Sequence, residues 1–580
     1  MYKAIIIICS LVFFITSGLY LDKLQRFVAI RKYLHSKTIP AELSKGNTIK
    51  ILKQQCLIKI IKDRSQKNNL IDKRESLEKP VISSKETNLN QYLYTPNFGG
   101  PQNMPSSLII NKKDLKDNCA VLSVVVDAKD LYGIGEGIIS NSKDRGKQWE
   151  RLAYVSYYEG KRLLFATSAG LRYHGGEESR RNPYRKKNSF RLYFRDIYGG
   201  KQLPLKNFFD TVKHPLRTIV IREGNLGLLP GQSAIYTGFT FDIFREIGVV
   251  APEAKPVLFF LNGQPKGIYA LIEHQSRKQW RLHLGHDNFT FYRYCFNPDK
   301  ESLKVYKQLS LWAENTDIKM TIKEANKKVD LDNLSRYLFA VIFCGDTNWK
   351  QGVMILDKNI VNGRWFWVVW DVDHSFSDFA NRDSNRANWQ QEALELLMSD
   401  KIWWKRDGSY YYKNPGIRTT LFRRLLNEDP EYKDYFVRLV MDLLNHRLNS
   451  DFLNSRLDYY TQIVLDYRVK KTSFLRKLKN FIDNRSDFVR GQISQELNAG
   501  PIFSCEIKAP SGITYEVDGY PKQGYYKGKY FKGKKINVRI IDRDKTGKIY
   551  WLVNGNKILV DNLVYPVNST TTIKLALEKS

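Results

Sequence analysis

The residues of this chain that could do chemistry form two acidic groups, one at Asp346 and one at Asp371 and Asp373. One Asp can orient or deprotonate an acceptor hydroxyl, while a second Asp, placed after a short hairpin, can hold Mg²⁺ on the phosphates of ATP. Amide side chains close behind the first group supply further oxygen ligands. Asp346 is therefore the predicted catalytic carboxylate. The predicted metal ligands are Asp371, with Asp373 close by, and Gln351.

A predicted hairpin lies between the two acidic groups. An apolar run at 353–356 is followed by a turn at Asn362-Gly363 and a second apolar run at 365–370. This pattern is typical of two buried strands joined by a tight turn. The hairpin would bring Asp346 and Asp371 to the same end of the sheet. A single Asp more commonly caps a loop or ends a strand, so the inference depends on both groups together.

A glycine-containing basic loop is predicted upstream, between two strands. Its members include Gly175, Gly176, Ser179 and Arg180, and Lys187 follows. Backbone N–H groups freed by glycine, with cationic side chains nearby, can cover a triphosphate. By itself such a loop is more typical of an ordinary hairpin. Glu273, at the end of a later apolar strand, could pair with Lys187, although exposure to solvent is the commoner fate of a Glu.

The composition indicates a globular protein of two or three domains, with 580 residues, 42% hydrophobic and 13% aromatic. The formal charge of +33 is compatible with an acidic substrate, an anionic membrane surface or nucleic acid. Nucleic acid is not an expected partner, because no recognised nucleic-acid-binding module accompanies the charge. The six cysteines are far apart and form no Cys-x-x-Cys pair, which argues against a zinc site and a dense disulfide framework.

The N-terminus carries an apolar segment, residues 1–21, which predicts a signal peptide or a membrane anchor. Positive charge is greater after this segment than before it, and an uncleaved helix would then leave the body in the cytoplasm. The topology stays open between an anchored and an exported protein of the cell envelope. Residues 22–118 are basic and polar, and they predict a linker.

Strand patterns come first in the folded body and helical patterns follow, which predicts an α+β fold with two lobes. The β-rich part is predicted at 119–300 and the helical part at 301–499, before a small β-sandwich-like module at 500–580. The predicted strands of the β-rich part include 120–126, 163–167, 170–174, 189–194, 257–261 and 268–272. The predicted helices include 331–343, 391–398, 419–427, 432–448 and 451–498.

Taken in order, these motifs resemble the spore-coat-protein-H-like (CotH) kinase family, whose members have an atypical protein-kinase fold. The resemblance covers roughly residues 120–498, and several ordered motifs are more specific than any one of them. It depends on segments at 135–151, 170–180, 187–192, 261–273, 345–346 and 370–376. Gln351 stands where family members commonly carry Asn, so the resemblance implies metal coordination either by this longer side chain or by Asn348 in its place.

The resemblance implies transfer of the ATP γ-phosphoryl group to Ser or Thr hydroxyls of a protein, with Mg²⁺ or Mn²⁺. It implies that Lys187 binds phosphate with Glu273 as its ion-pair partner. It also makes Asp346 the catalytic Asp and Asp371 the metal-holding Asp. The implied nucleotide-binding residues are Arg172, Gly175, Gly176, Ser179, Arg180, Lys187, Arg191 and Glu273.

Two main classes of function stay open. The first is a membrane-attached or exported Ser/Thr protein kinase acting on envelope, coat or other surface proteins. The second is a noncatalytic, pseudokinase-like assembly or adhesion protein that keeps the fold. A metal-dependent phosphate-ester hydrolase could also use Asp346, Asp371 and Asp373, but it would not explain Lys187 with Glu273.

Overall fold

The computed structural model describes residues 119–577 apart from short segments. These residues divide into two compact units, and the boundary along the chain lies between Ile502 and Phe503. The segments outside the description are 1–118, 176–179, 181–187, 224–231, 294–297, 347–351, 373, 377–387, 399–400, 405–409, 413–415, 470–471, 542–548 and 578–580. The predicted N-terminal membrane segment and basic linker therefore lie outside the described residues. Within the described ranges, no helix is both long and apolar enough to cross a bilayer.

The first unit begins with a closed barrel of strands in the order β1-β2-β3-β4-β5-β7-β6. The strands are β1 (Ala120–Val125), β2 (Arg151–Glu159), β3 (Arg162–His174), β4 (Ser189–Tyr193), β5 (Thr218–Arg222), β6 (Ala254–Leu261) and β7 (Gln264–Glu273). Neighbouring strands are antiparallel except for the parallel pair of β1 and β6, which closes the barrel. Closure leaves none of these strands at an open edge.

The two faces of the barrel strands differ in chemistry. Because side chains alternate along a strand, Leu171 and Tyr173 of β3 join the apolar interior, while Arg172 and His174 lie on the other face. The pairing register continues this outer row through Arg191 of β4. The barrel therefore presents a polar, cationic row on its outer face.

Helices complete the first unit. They are α1 (Ala128–Tyr132), α2 (Gln232–Glu246), α3 (Arg277–Leu284), α4 (Lys300–Glu314), α5 (Ile322–Ala325), α6 (Leu331–Cys344), α7 (Ala393–Met398), α8 (Ile417–Glu428), α9 (Pro430–Asp442), α10 (Ser450–Asp466) and α11 (Ser473–Glu496). A π-helical turn at Leu443–Arg447 follows α9. Helix α2 is buried along almost its whole length, and it packs against β6, β7, α6 and α10. It joins the barrel to the helical part.

A small sheet adjoins the helices, with the order β10-β9-β8. Its strands are β8 (Thr290–Arg293), β9 (Val353–Leu356) and β10 (Phe366–Val368), and a separate pair is formed by β11 (Lys401–Trp404) and β12 (Tyr410–Tyr412). The antiparallel pairing of β9 with β10 confirms the predicted hairpin, and both strands are largely buried. Strand β8 precedes residue 300, yet it pairs with β9 rather than with the barrel.

The second unit contains two sheets within its described residues, in the orders β16-β13-β21-β18-β19 and β15-β14-β17-β20. Their strands are β13 (Ile502–Lys508), β14 (Thr514–Val517), β15 (Tyr520–Gln523), β16 (Tyr525–Phe531), β17 (Lys535–Ile540), β18 (Ile549–Val553), β19 (Asn556–Ile558), β20 (Asn562–Pro566) and β21 (Thr571–Leu577). Alternate residues such as Tyr515 and Val517 are fully buried. This alternation is typical of strands with one face against a core.

Candidate active site

Asp346 lies immediately after the end of α6, where the chain turns sharply. Gly345 caps the helix in the left-handed region at φ 59°, which glycine adopts without steric cost. A Cβ at Gly345 would lie 1.9 Å from Oε1 of Gln391, so no larger residue fits without a shift. The N–H of Asp346 donates to the carbonyl of Val341 at 3.1 Å. The helix end thus determines the position of Asp346, which is only 2% exposed.

The segment after β10 packs directly against Asp346. The hydroxyl of Ser375 donates to Oδ2 of Asp346 at 3.0 Å, in a buried hydrogen bond. The N–H of Phe376 donates to the carbonyl of Cys344 at 2.9 Å. Since Asp371 precedes Ser375 by one short turn, the structure brings the two predicted acidic segments together. The catalytic and metal-binding roles of Asp346 and Asp371 stay predictions.

Backbone conformation is unusual at both ends of this segment. Asp371 and Phe376 each have φ 59°, in the left-handed region that Asp tolerates and that costs a bulky aromatic residue more. Phe376 is held there by T-shaped ring contacts with Tyr236, Phe239 and Phe481 at 5.5, 5.5 and 5.0 Å. Such conformations persist where the surrounding packing enforces them, and they are concentrated at functional sites.

Arg485 of α11 stabilises the turn that precedes Asp346. Its side chain is fully buried, and it donates to main-chain carbonyls of Ile342 and Phe343 at the end of α6, and of Trp389 and Gln391. The last carbonyls of a helix have no partner within the helix, and a cation suits the negative end of its dipole. Burial lowers the pKa of Arg485 to about 9, so the side chain remains charged at neutral pH. Nothing in the sequence pattern distinguished this arginine.

Three arginines converge near Asp371, and we call Arg191, Arg222 and Arg293 the arginine cluster. Nη2 of Arg222, the last residue of β5, lies 2.5 Å from Oδ1 of Asp371. The guanidinium of Arg293, at the end of β8, lies over the ring of Trp370 at 4.5 Å. Burial, and then Arg191, lower the pKa of Arg293 to about 9, an effect that Asp371 partly opposes.

Two buried histidines border the arginine cluster. Nη2 of Arg191 lies 2.8 Å from Nδ1 of His174, and the ring of His274 lies between those of His174 and Trp370, with centroids 6.3 and 5.9 Å away. Burial and the neighbouring arginines hold the pKa of both histidines well below 6.5, so both are neutral at neutral pH. A neutral ring can accept the hydrogen bond from Arg191, as the geometry requires.

The arginine cluster suits a ligand with several negative charges. Nε of Arg191 is buried and has no hydrogen-bond partner among the described residues, although leaving a buried N–H group without a partner is costly. The side chain of Asp371 is 21% exposed, and its oxygens are the donors that Mg²⁺ or Mn²⁺ prefers. Carboxylate and guanidinium groups placed together in this way fit a metal-bound triphosphate.

The sequence did not identify Arg222, Arg293, His174 or His274. The only available signal was their position at or next to the ends of apolar strands. Many surface residues occupy such positions, so the signal alone selects nothing.

Arg172, a predicted nucleotide-binding residue, is already paired in the structure. Its Nη2 lies 2.7 Å from Oε2 of Glu150, whose buried side chain also binds Arg195 at 2.7 Å. The guanidinium of Arg172 further stacks on Tyr193 at 4.1 Å. Phosphate binding by Arg172 would have to compete with this buried carboxylate.

Arg180 joins two loops. It donates to the carbonyls of Gly175 at 3.0 Å, Tyr173 at 3.1 Å and Asp144 at 3.1 Å, and also to that of Ser142. Gly175 has φ 143°, which favours glycine at the start of the predicted loop. These hydrogen bonds give Arg180 a structural role. A direct contact with phosphate would require some of them to break.

Glu273 lies at the end of β7, and its buried side chain contacts histidine and glutamine side chains of the described part of the chain. Its oxygens lie 2.6 Å from Nε2 of His283, 3.2 Å from Nε2 of Gln279 and 3.4 Å from Nε2 of Gln275. Burial tends to raise the pKa of this carboxyl, but His283 and His214 outweigh it and the pKa is lowered. Lys187 lies outside the described residues, so its predicted pair with Glu273 stays a prediction.

The remaining predicted residues also lie outside the described residues. They are Gly176, Ser179, Asn348, Gln351 and Asp373.

Comparison with known proteins identifies one family. The family described as CotH kinase protein matches residues 171–490, from within β3 to within α11. Among solved structures, the proinflammatory kinase CtkA of Helicobacter pylori is similar at 10% identity, over 56% of this chain and 95% of that chain, with a TM-score of 0.25. No curated protein matches the chain. The family match includes every part of the candidate active site.

Proposed function

The chain belongs to the CotH kinase protein family, and from that premise we propose that it transfers the γ-phosphoryl group of ATP to Ser or Thr hydroxyls of a protein substrate. The observation that carries this proposal is the arginine cluster, which lies beside Asp371 within the family match. Phosphoryl transfer depends mainly on positioning and on stabilising charge, and these residues supply both.

Asp346 is the residue that orients the acceptor hydroxyl and takes its proton. Ser375 donates to one oxygen of Asp346 and so limits the directions in which the carboxylate can face. The nearly complete burial of Asp346 keeps competing water away from the carboxylate. Asp346 would then act on a hydroxyl that enters beside the segment containing Ser375.

Asp371 and Asp373 would hold the divalent ion, with Asn348 and Gln351 as further ligands. When bound, Mg²⁺ or Mn²⁺ neutralises developing charge on the transferred group. In the structure Arg222 neutralises Asp371. A divalent ion on the same carboxylate would compete with Arg222, whose guanidinium could then turn to a phosphate oxygen.

The arginine cluster, together with Lys187, would bind the triphosphate. Guanidinium groups match phosphate geometry with two parallel N–H donors, and they keep their charge when buried. Bound phosphate would also provide a partner for Nε of Arg191. Nucleotide would thus add negative charge beside a cluster in which Asp371 is the carboxylate paired with Arg222.

The substrate would be an acidic protein of the cell envelope or coat. The formal charge of +33 favours association with negatively charged surfaces. The apolar segment at 1–21 supports a location at the membrane or beyond it. Both expectations depend on composition and not on a described contact.

The proposal is tested with the full chain, labelled ATP and either Mg²⁺ or Mn²⁺. We expect self-labelling, and we expect Asp371→Ala and Asp346→Ala each to reduce it by at least roughly 100-fold. Asp317→Ala is the matched control, because Asp317 is an exposed Asp in the same unit. Thermal unfolding of each variant is measured to show whether the fold is retained.

Equal labelling in all variants would exclude the kinase assignment for these residues. Nucleotide binding without any labelling would instead favour the noncatalytic assembly protein. Release of inorganic phosphate from phosphate esters without ATP would favour a hydrolase.

A further inference from the structure

A second cluster of chemically reactive side chains lies at one end of the barrel. It consists of His214 in the loop before β5, Glu273 at the end of β7 and His283 on α3. One ligand atom from each residue lies within 4.8 Å of the other two. The three side chains are only 5%, 4% and 15% exposed. Three potential metal ligands from separate elements therefore share one buried space.

The hydrogen-bond geometry of His214 indicates which ring nitrogen carries a hydrogen. Nδ1 of His214 lies 3.1 Å from the carbonyl of Pro215, and a carbonyl only accepts, so Nδ1 must carry the hydrogen. Nε2 of a neutral His214 is then a bare lone pair, and this buried atom has no hydrogen-bond partner among the described residues. It lies 3.6 Å from Oε1 of Glu273, another electron-rich atom. Two such atoms repel each other unless a cation lies between them.

A hydrogen bond from a protonated Nε2 of His214 to Glu273 does not fit the distance between these two atoms well. A charge-assisted N–H···O bond measures about 2.7–2.9 Å, which is well below the observed 3.6 Å. Two ligands of a tetrahedral zinc ion, each about 2.0–2.1 Å from the metal, lie about 3.3 Å apart. The spacing of His214 and Glu273 is therefore closer to that of two metal ligands than to that of a hydrogen bond.

The hydrogen bond between Pro215 and His214 is itself typical of a metal site. Histidine ligands usually donate their other ring N–H to a carbonyl or carboxylate, which orients the ring. The rings of His214 and His283 meet edge to face with centroids 4.2 Å apart, and Trp280 packs against His283 at 5.1 Å. The two imidazoles are thus held in place by packing.

We propose that His214, Glu273 and His283 bind one Zn²⁺ ion. Two imidazoles and a carboxylate favour zinc over Mg²⁺, which prefers oxygen ligands only. The fourth position would be taken by water or by the amide oxygen of Gln279, whose side chain already contacts Glu273. Zinc binding would displace a proton from His283 and lengthen its 2.6 Å contact with Glu273.

The proposed site goes against the expectation drawn from the cysteines. The scattered thiols argued against zinc, but the site uses no cysteine, and its histidines are far apart in sequence. The ion would join the loop before β5, strand β7 and helix α3. Because His274 follows Glu273 and its ring contacts Trp370, zinc would also reduce motion of the part of the candidate active site next to Trp370.

The test measures metal binding directly and does not depend on phosphotransfer. The full chain is purified without a metal-affinity tag, stripped with a chelator and titrated with Zn²⁺ against a chromophoric chelator. We expect one ion per chain, and His214→Gln and His283→Gln should weaken binding by about 100-fold or more. His286→Gln is the control, since His286 lies beside Asp357 and outside the cluster.

A second measurement uses only the unmodified chain, so its result does not depend on whether the variants fold. Micromolar Zn²⁺ should raise its thermal unfolding midpoint while the same concentration of Mg²⁺ should not. Co²⁺ should produce the visible absorption of a tetrahedral site. No zinc binding by the unmodified chain, or equal binding by all variants, would overturn the proposal. Either result would leave the phosphotransfer proposal standing, because that proposal is tested by labelling.

Discussion

At the scale of single residues, the candidate site depends on side chains that make one critical contact each. Ser375 illustrates this, because it is fully buried and its hydroxyl donates to Asp346. Arg222 is the corresponding case for Asp371. Removing such a partner changes the direction or the charge balance of a carboxylate while the rest of the fold is kept.

Ser375→Ala is expected to lower kcat for phosphotransfer about tenfold with little change in KM for ATP. The physical reason is that Asp346 loses a hydrogen bond that orients it, whereas the nucleotide contacts remain. Steady-state kinetics of labelled-phosphate transfer measure both constants.

Ser335→Ala is the matched control for Ser375→Ala. Ser335 is also fully buried, but it bonds to the carbonyl of Leu331 and to Tyr432 in α6 and α9. We expect this change to affect stability and not kcat. Equal loss of kcat in both variants would contradict a positioning role for Ser375.

At the scale of secondary-structure elements, the end of α6 is the feature that positions the chemistry. Gly345 reverses the chain there, and Arg485 of α11 binds the last carbonyls of the helix. The same arginine binds the segment at Trp389 and Gln391. One side chain thus holds α6, α11 and the segment before α7 together.

Arg485→Met is expected to destabilise the first unit by about 3 kcal/mol or more, because several buried carbonyls lose their donor. Arg485→Lys should recover only part of this loss, since one ammonium cannot reach all the carbonyls that the guanidinium spans. The midpoint of thermal unfolding measures the effect. Arg476→Met, at an exposed position of the same helix, should have almost no effect.

At the scale of the whole molecule, burial of charge and of histidine couples stability to pH. His174 and His274 have pKa values held well below 6.5 by burial and by nearby arginines. The unfolded chain therefore binds more protons than the folded chain once the pH falls below about 6.5. Their contribution to stability is fully present above that pH and is lost progressively as the pH decreases.

We expect the thermal unfolding midpoint to decrease when the pH is lowered from 7.5 to 5.5. His274→Gln should make this decrease smaller. Glutamine has no proton to gain in this range, so one source of the pH dependence is removed. The groups facing the two histidines are Arg180, Arg191, Arg222 and Arg293. Differential scanning fluorimetry with a chelator present measures the effect without interference from metal.

His286→Gln is the control for this pH experiment, because His286 lies beside Asp357 and away from the arginine cluster. If the pH dependence is identical in the unmodified chain and in His274→Gln, then His274 does not contribute to the pH dependence of stability.

The sequence by itself determined several of the local elements. Apolar runs predicted β1 and the β9–β10 hairpin, apolar alternation predicted β4, and helical periodicity predicted α6 and α8, because those patterns reflect which faces of an element are buried. The same pattern did not single out α2, which is buried on nearly every side and so has no polar face to reveal its period. The acidic groups at Asp346 and Asp371 were also visible, since carboxylates beside apolar runs are uncommon.

Only the tertiary structure decided which cations meet those carboxylates. Arg222 of β5 and Arg293 of β8 are distant in sequence, yet they lie at Asp371 and over Trp370. Arg485 of α11 instead binds the last carbonyls of α6, next to Asp346. The cluster of His214, Glu273 and His283 likewise comes from separate elements. A sequence pattern records which face of one element is buried, but it does not record the register and packing that bring faces of different elements together.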